Sequence, residues 1–395
     1  MDNYNLPDTV MKVGIINASP FYRDLDGRCF TSSDEEKSLS QWYNLYDKIV
    51  LFRPEQTDGI KAKEWLKLPE NVECRSLGNI NLGAFKRKIV IRKVAKAAND
   101  CDIFYYRIPN YESYLFWRSQ PKSPYYVEIH GDMESAIMSG NKPWIIKKMM
   151  SKYFFYLFQK ISSQANFALT IGPALRNKYI KSNIATYVTT NHLLFKEDYP
   201  KSCVIRPQNR IPLLLFVGHI HDRKGLRYLF KALKMMHEEG KPFIMKLAGT
   251  GQLQSWLEKY ATDNGFIDCV HFLGQIKHGP DLFKLYQEAD LFVLPSTAAE
   301  GVPRVIHEAM AFCTPVVATN IGSVKWQLNG ECGVVLEPAD AKALKNAIDR
   351  VLEDEGLRNK LIVNGYKKSL RFSLEEQKKG ILKFVTKQLS NLSLS

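Results

Sequence analysis

The sequence lacks the features that would place it in several large classes of protein. No apolar run among its 395 residues reaches the ~18 residues of a membrane-spanning helix, and no signal-peptide pattern opens the chain. Its seven cysteines are widely spaced with no C-x-x-C pair, so neither a zinc site nor a disulfide framework is indicated. No helix-turn-helix, RNA-binding or zinc-finger motif occurs. We therefore expect a cytoplasmic protein that has no metal site and no nucleic-acid partner.

Positive charge, in contrast, is abundant. The formal net charge is +14, in a composition with 45% hydrophobic residues that is typical of globular proteins. Nucleic acid, anionic membranes and phosphate-rich substrates are the candidate partners, and nucleic acid is the weakest of them because no binding motif accompanies the charge. Part of the excess lies in residues 142–160, where lysines alternate with aromatic and aliphatic residues, a composition typical of helices that lie in a membrane interface. A core helix with a basic exposed face explains the same pattern, and both interpretations stay open. The first would add a peripheral location on the inner face of the plasma membrane.

Apolar strands alternate with helical segments along the whole chain, which predicts an α/β protein with parallel sheets. A polar, proline-bearing linker at 196–211 separates two such series. We expect two Rossmann-like, doubly wound domains that face each other across a cleft, at 1–200 and 201–375, followed by a C-terminal helix and tail at 376–395. Ligands of such sheets bind at the carboxyl ends of the strands. In the second half, strands are predicted at 213–217, 243–247, 270–273, 291–294 and 316–318.

The residues that follow these strands have the chemistry of a nucleotide site. Gly218 opens a turn that carries Arg223 and Lys224 just before a helix, which suits a pyrophosphate. Gly249 follows the next strand and would let a ligand approach the backbone. Gln275 and Ile276 follow the third, where a base could stack and pair with main-chain groups.

The segment 296–310 is the most informative of these loops. Pro303 suits the first turn of a helix, whose unpaired N–H groups attract anions. Glu300 lies in the loop before that helix and Glu308 lies inside it. Carboxylates on both sides of an anion site suit a ligand with hydroxyls and phosphates, such as a nucleotide sugar.

Taken in order, these signals make residues 213–352 resemble the C-terminal domain of retaining GT-B glycosyltransferases of family GT4, chiefly through the E-x7-E element that ends at Glu308. The resemblance implies that Glu300 contacts the transferred sugar, that Glu308 holds the ribose hydroxyls, and that Lys224 and Arg223 bind the diphosphate. It implies further donor contacts from the remaining strand-end and helix-start residues: Gly218, Gly249, Gln275, Ile276, Gly301, Val302, Pro303 and Arg304.

Two departures from the family pattern concern phosphate and acceptor binding. His219 stands where relatives usually carry an arginine. The first half has no Gly-Gly loop after its first strand and offers Gly27 instead, so Gly27 and Asp132 become the acceptor-side candidates. His130, at the end of a strand, matches a family histidine near the transferred sugar and is a catalytic candidate beside Glu300 and Lys224. A purely structural histidine is the alternative.

The resemblance implies transfer of a sugar from a nucleoside diphosphate, with UDP favoured, to a saccharide or lipid-linked acceptor. It also implies retained anomeric configuration, no cofactor and no metal, and a role in bacterial cell-surface polysaccharide or glycolipid synthesis. The Asp-x-Asp strings at 24–26 and 100–102 are interpreted as chance matches to a metal motif. A sugar-nucleotide epimerase and a non-catalytic nucleotide-sugar binder remain the alternatives.

Overall fold

A computed structural model describes residues 11–43, 45–57, 65–120, 123–138, 143–190, 193–298 and 301–393. The chain forms two compact units: unit 1 comprises Met1–Thr189 and Lys378–Ser395, and unit 2 comprises Thr190–Gln377. The sequence-based boundaries had been set after residues 200 and 375. The contacts instead divide the chain after residues 189 and 377 and assign most of the C-terminal helix to unit 1.

Unit 1 contains ten strands and six helices in its described N-terminal part. The strands are β1 Lys12–Ile16, β2 Phe21–Arg23, β3 Cys29–Ser32, β4 Lys48–Gln56, β5 Trp65–Lys67, β6 Val72–Asn79, β7 Ile103–Ile108, β8 Tyr125–Ile129, β9 Phe167–Ile171 and β10 Ala185–Thr189. The helices are α1 Ser33–Leu39, α2 Ala84–Ala97, α3 Tyr111–Ser119, α4 Met133–Met138, α5 Trp144–Ser162 and α6 Pro173–Tyr179.

Unit 2 repeats the alternation of strand and helix. Its strands are β11 Leu213–Val217, β12 Ile244–Ala248, β13 Val270–Gly274, β14 Leu291–Leu294, β15 Val316–Thr319 and β16 Val334–Leu336. Its helices are α7 Leu226–Glu238, α8 Gln254–Asp263, α9 Pro280–Glu288, α10 Arg304–Ala311, α11 Val324–Gln327, α12 Ala341–Glu353 and α13 Glu355–Leu370. The last helix, α14 Leu374–Ser393, starts in unit 2 and continues into unit 1.

The sheet of unit 1 has the order β10-β9-β8-β7-β1-β4-β2-β3-β5, with β6 paired to β4. Its pairs are parallel except β2 with β3 and β3 with β5. The βαβ crossovers through α2, α3 and α5 all move along the sheet in the same direction, so their usual right-handedness places these helices on one face. On the other face, Trp42, Tyr46 and the α14 residues Ile381 and Val385 share a core cluster with β1.

The sheet of unit 2 is parallel throughout, in the order β13-β12-β11-β14-β15-β16. The predicted strands of this half are confirmed, with β12 one residue later than expected. The continuous apolar runs of β11, β14 and β15 are buried on both faces. Parallel pairing brings the carboxyl ends of all six strands to one edge, which we call the carboxyl edge of unit 2. The edge at which the parallel strands of the unit 1 sheet end is the carboxyl edge of unit 1. Within the described ranges, no helix combines the length and apolar character needed to cross a membrane.

Candidate functional site

The loop after β11 carries the two basic candidates and is fixed by a glycine. A short 3-10 turn at Asp222–Lys224 ends at Gly225, which has φ +67°. A Cβ added at Gly225 would lie 1.8 Å from the carbonyl oxygen of Pro295. The N–H of Thr297 donates to the Arg223 carbonyl at 2.8 Å. The turn that carries Arg223 and Lys224 is therefore anchored to the segment that leads toward α10.

The glycines after β11 and β12 let two loops touch backbone to backbone. A Cβ added at Gly249 would lie 1.9 Å from the carbonyl oxygen of Gly218, and one added at Gly251 would lie 2.2 Å from that of Ile220. The Gly249 N–H donates to Gly274, at the end of β13, at 2.7 Å. The structure thus gives Gly249 and Gly251 a role in packing the two loops together. The sequence reasoning had explained Gly249 by the approach of a ligand. It also brings together the loops after β11, β12 and β13.

Beyond β13, the two residues proposed to meet the base differ in exposure. Gln275 is exposed, whereas Ile276 is partly buried against the core of unit 2. Both follow Gly274 in the chain, and the Gly274 carbonyl accepts the hydrogen bond from the Gly249 N–H.

Helix α10 begins one residue later than expected, with Pro303 as its N-cap. The preceding backbone is held from α11: the Ser323 N–H donates to the Gly301 carbonyl at 3.1 Å, and the Gln327 side-chain amide donates to the Pro303 carbonyl at 3.0 Å. Val302 is buried and Arg304 is exposed. Glu300 lies outside the described residues. The N-terminus of α10 is therefore a fixed set of backbone N–H groups at the carboxyl edge.

Glu308 is buried on α10 with two neighbours that the sequence reasoning missed. The Tyr286 hydroxyl donates to one carboxylate oxygen at 2.8 Å, and Nε2 of His278 lies 3.7 Å from the other. Burial raises the pKa of Glu308, while the Tyr286 hydrogen bond and the nearby His278 and Arg304 oppose the shift. No sequence signal points to Tyr286 or His278. The spacing of apolar residues in α9 already accounts for a buried tyrosine, and His278 precedes a Gly-Pro pair that is typical of an ordinary turn.

His130 in unit 1 follows β8 directly. Its N–H donates to the Ile108 carbonyl at 3.0 Å, and in the strand pair below it Arg107 lies opposite Glu128. His130 is exposed as a residue, yet desolvation by surrounding atoms and the Arg107 charge lower its pKa. A neutral imidazole at neutral pH can both donate and accept a hydrogen bond.

The two acceptor-side candidates have structural partners of their own. Asp132 accepts from Lys178 Nζ at 2.8 Å and from the Tyr179 hydroxyl at 2.8 Å, which ties the loop after β8 to α6. Gly27 lies in the hairpin turn between β2 and β3 with φ +82° and nothing within 4 Å of an added Cβ. The turn therefore accounts for that glycine, and its role in acceptor binding stays a prediction.

A partly buried ionic cluster at the carboxyl edge of unit 1 was not predicted. Glu35 accepts from Ser19 at 2.8 Å and from the fully buried Arg53 at 3.0 Å, and it lies 3.4 Å from Arg107. Arg107 also pairs with Glu128 at 3.0 Å. These residues are far apart in the sequence and share no motif, so only the fold brings them together. Among the residues that the structure describes, no group of three His, Cys, Asp or Glu side chains could hold a metal ion.

Comparisons with known proteins place this geometry in a family. Residues 204–368 match the family Glycosyl transferases group 1. The chain is 29% identical over 233 residues to the capsular polysaccharide biosynthesis glycosyltransferase CapM of Staphylococcus aureus, covering 55% of this chain and 60% of CapM. The chain spans roughly half the length of the first curated relatives that it matches.

Solved structures match nearly the whole fold. Sucrose-phosphate synthase from Thermosynechococcus elongatus superposes with a TM-score of 0.70 at 17% identity, over 96% of this chain and 100% of that one. Anabaena HepE in complex with UDP superposes with a TM-score of 0.69 at 17% identity, over 95% and 100%. The domain of residues 204–368, with its carboxyl-edge loops, therefore belongs to the glycosyl transferases group 1, within a chain that has the GT-B fold.

Proposed function

We propose that the protein is a retaining glycosyltransferase that moves a sugar from a nucleoside diphosphate, preferably UDP, to an acceptor hydroxyl. The observation that carries the proposal is that the loops after β11, β12 and β13 of unit 2 contact one another at its carboxyl edge. The basic turn of Arg223 and Lys224 is hydrogen-bonded through Thr297 to the segment that leads toward α10. Similarity to HepE, whose structure contains UDP, supports the choice of nucleotide.

The largest catalytic contribution in this proposal is electrostatic. Negative charge builds on the departing diphosphate as its bond to the anomeric carbon breaks. Arg223, Lys224 and the N-terminus of α10 supply preorganised positive charge and N–H donors for it. Glu308 would accept from the ribose hydroxyls, and Glu300 would hold the transferred sugar so that the acceptor meets the anomeric carbon.

Retention does not require a covalent sugar–enzyme intermediate in this scheme. A retaining glycosidase pair needs carboxyl groups only about 5 Å apart across one bond. Here Glu300 is assigned to the sugar and Glu308 to the ribose, so neither is left to act as the nucleophile. The departing phosphate accepts the proton of the acceptor hydroxyl, and the basic groups take the place of a metal ion.

Unit 1 supplies the acceptor side in the same proposal. His130, kept neutral by its surroundings, is available to hydrogen-bond the transferred sugar or the acceptor hydroxyl. The similarity to a capsular polysaccharide glycosyltransferase favours a saccharide or lipid-linked acceptor and a role in bacterial cell-surface polysaccharide or glycolipid synthesis. We further propose that the enzyme is cytoplasmic and works at the inner face of the plasma membrane.

Donor choice is tested by thermal stabilisation with a panel of UDP- and GDP-sugars, followed by NMR of the reaction with the stabilising sugar and a saccharide acceptor. We expect Lys224→Ala and Glu300→Gln each to lower turnover about 100-fold, as loss of a preorganised group does. Lys259→Ala, at an exposed lysine on α8, is the matched control and should leave turnover unchanged.

Two results would contradict the proposal. Near-normal turnover in either variant would remove the site assignment. Conversion of the donor sugar in the absence of any acceptor would show an epimerase instead.

A further inference from the structure

Large apolar side chains are exposed on two helices of unit 1, α2 and α5, where the sequence had indicated only α5. On α5, Ile145 is 66% and Met149 69% exposed, and Trp144, Tyr153 and Tyr156 are exposed beside them. On α2, Phe85 is 77% exposed and Ile89 54%. Single exposed apolar residues are ordinary, but this concentration on two helices needs an explanation.

The apolar residues of each helix lie on one side of it. In α5, Ile145, Met149 and Tyr156 follow the spacing that brings side chains to one helical face, and in α2 Phe85 and Ile89 are one turn apart. Helix α3 lies between the two. The centroids of its Tyr111 ring and the Phe154 ring of α5 are 6.0 Å apart, edge to face. A carboxylate oxygen of its Glu112 lies 3.3 Å from a guanidinium nitrogen of Arg87 on α2. We call the exposed outer sides of α2 and α5 the two-helix face.

The charge carried by α2 and α5 themselves has one sign. Neither α2 nor α5 contains an acidic residue. Lys148 stacks over the Trp144 ring at 4.7 Å. The exposed basic side chains of the two helices are Lys86, Arg92, Lys93, Lys96, Lys148, Lys152 and Lys160. Long basic side chains around exposed aromatic and aliphatic residues complement an anionic lipid surface, because the stems pack on apolar groups while the charges reach the headgroups.

Topology fixes where on unit 1 this face lies. Helices α2 and α3 follow β6 and β7, and α4 and α5 follow β8, so each begins near the carboxyl edge of the sheet. The exposed apolar residues lie in the first half of α2 and in the N-terminal two thirds of α5. His130, also at the carboxyl edge, follows the same strand that leads to α4 and α5.

We propose that the two-helix face docks unit 1 on an anionic membrane. In this arrangement α2 and α5 both contact lipid, and the carboxyl edge of unit 1 is turned toward the bilayer. This deepens the proposed function, since a lipid-linked acceptor would then reach the protein at the edge that carries His130. The docking itself does not depend on catalysis. An anionic bilayer explains both the uniform positive charge and the dispersed apolar residues, whereas a protein partner would leave the charge unexplained.

Vesicle sedimentation of the full chain without donor tests the docking. We expect the protein to sediment with phosphatidylcholine vesicles that contain phosphatidylglycerol, to stay in the supernatant with phosphatidylcholine alone, and to be released by high salt. The double variants Phe85→Ser with Ile89→Ser, and Ile145→Ser with Met149→Ser, should each lower the partition coefficient about tenfold or more, because each removes two apolar side chains from the interface. The double variant Val204→Ser with Ile211→Ser, at two exposed apolar residues of unit 2, is the matched control and should bind as the wild type does.

Each opposite result overturns the proposal. Wild-type protein that stays in the supernatant at low salt shows that no such membrane site exists. Normal binding by the α2 variant removes α2 from the face. Sedimentation equilibrium that shows a dimer, lost in the α5 variant, would mean that a second copy covers the face. A cooperative thermal unfolding transition, measured on every variant by circular dichroism, confirms that it is folded. UDP stabilisation, measured separately, keeps a failure of docking distinct from a failure of the proposed transfer reaction.

Discussion

At the scale of single residues, the surroundings of Glu308 decide what it can do. A buried carboxylate is costly unless polar groups partner it, and here Tyr286 and His278 approach its two oxygens from the loop and helix that follow β13. The sequence identified Glu308 by its motif but could not identify these partners, because their approach depends on how α9 packs on α10.

We predict that His278 positions Glu308 for the ribose. His278→Phe should weaken binding of UDP by about threefold, since it removes a partly exposed polar neighbour 3.7 Å from the Glu308 carboxylate, and exposed contacts of this kind contribute roughly 0.2–1 kcal/mol. The same variant should bind 2′,3′-dideoxy-UDP as well as the wild type does, because that ligand makes no ribose contact with Glu308. Calorimetric affinities for both ligands in both proteins measure this coupling, and an equal loss for the two ligands would show a general structural effect.

A second histidine, His307, predicts a dependence of stability on pH. It is fully buried and hydrogen-bonded to the Tyr199 hydroxyl at 2.7 Å, and burial lowers its pKa to about 3. Below pH ~6.5 the unfolded chain binds a proton at this position that the native protein does not, so stability falls by about 1 kcal/mol for each pH unit until the native pKa is reached. His307→Gln should therefore lose less thermal stability between pH 7 and pH 5 than the wild type. Identical losses in melting temperature would contradict this assignment.

At the scale of elements, the loops at the carboxyl edge of unit 2 depend on close backbone contacts. Gly225 and Gly240 have nearly the same backbone conformation, with φ +67° and +70°. An added Cβ meets the Pro295 carbonyl at Gly225, whereas it meets nothing within 4 Å at Gly240. The pair thus separates the cost of a left-handed backbone from the cost of a lost contact.

We predict that Gly240→Ala costs about 1 kcal/mol of unfolding free energy, the usual penalty for a non-glycine residue in this conformation. Gly225→Ala should cost clearly more and should also weaken UDP binding, because the turn of Arg223 and Lys224 must move away from Pro295. Denaturant unfolding and UDP titration of both variants test this, and equal effects of the two substitutions would contradict it.

The same scale shows where sequence reasoning succeeded and where it stopped. The strands of unit 2 were predictable because a parallel strand buried on both faces is a continuous apolar run, as in Leu213–Val217. In unit 1 the sequence reasoning missed β2, β3, β5, β6 and β10, since these strands consist largely of exposed or partly exposed residues and lack that pattern. The cluster of Glu35, Arg53 and Arg107 was invisible for a different reason: it joins residues from three separate elements.

For the whole molecule, the sequence established the α/β class and the repetition of one alternating pattern, but not how the chain is divided. Residues 196–211 were expected to link the domains, yet unit 2 begins at Thr190, and most of α14 belongs to unit 1. Its Ile381, Val385 and Leu389 pack into the unit 1 core. A helix docked on a distant part of the chain leaves no local signal, because its amphipathic pattern suits either unit equally well.

The account as a whole depends on a donor nucleotide bound at the carboxyl edge of unit 2. A crystal structure of the full chain soaked with UDP tests this most directly. We predict the diphosphate within hydrogen-bonding distance of the Arg223–Lys224 turn and the N-terminus of α10, with the ribose hydroxyls on Glu308. UDP bound at any other surface of the protein would contradict the account.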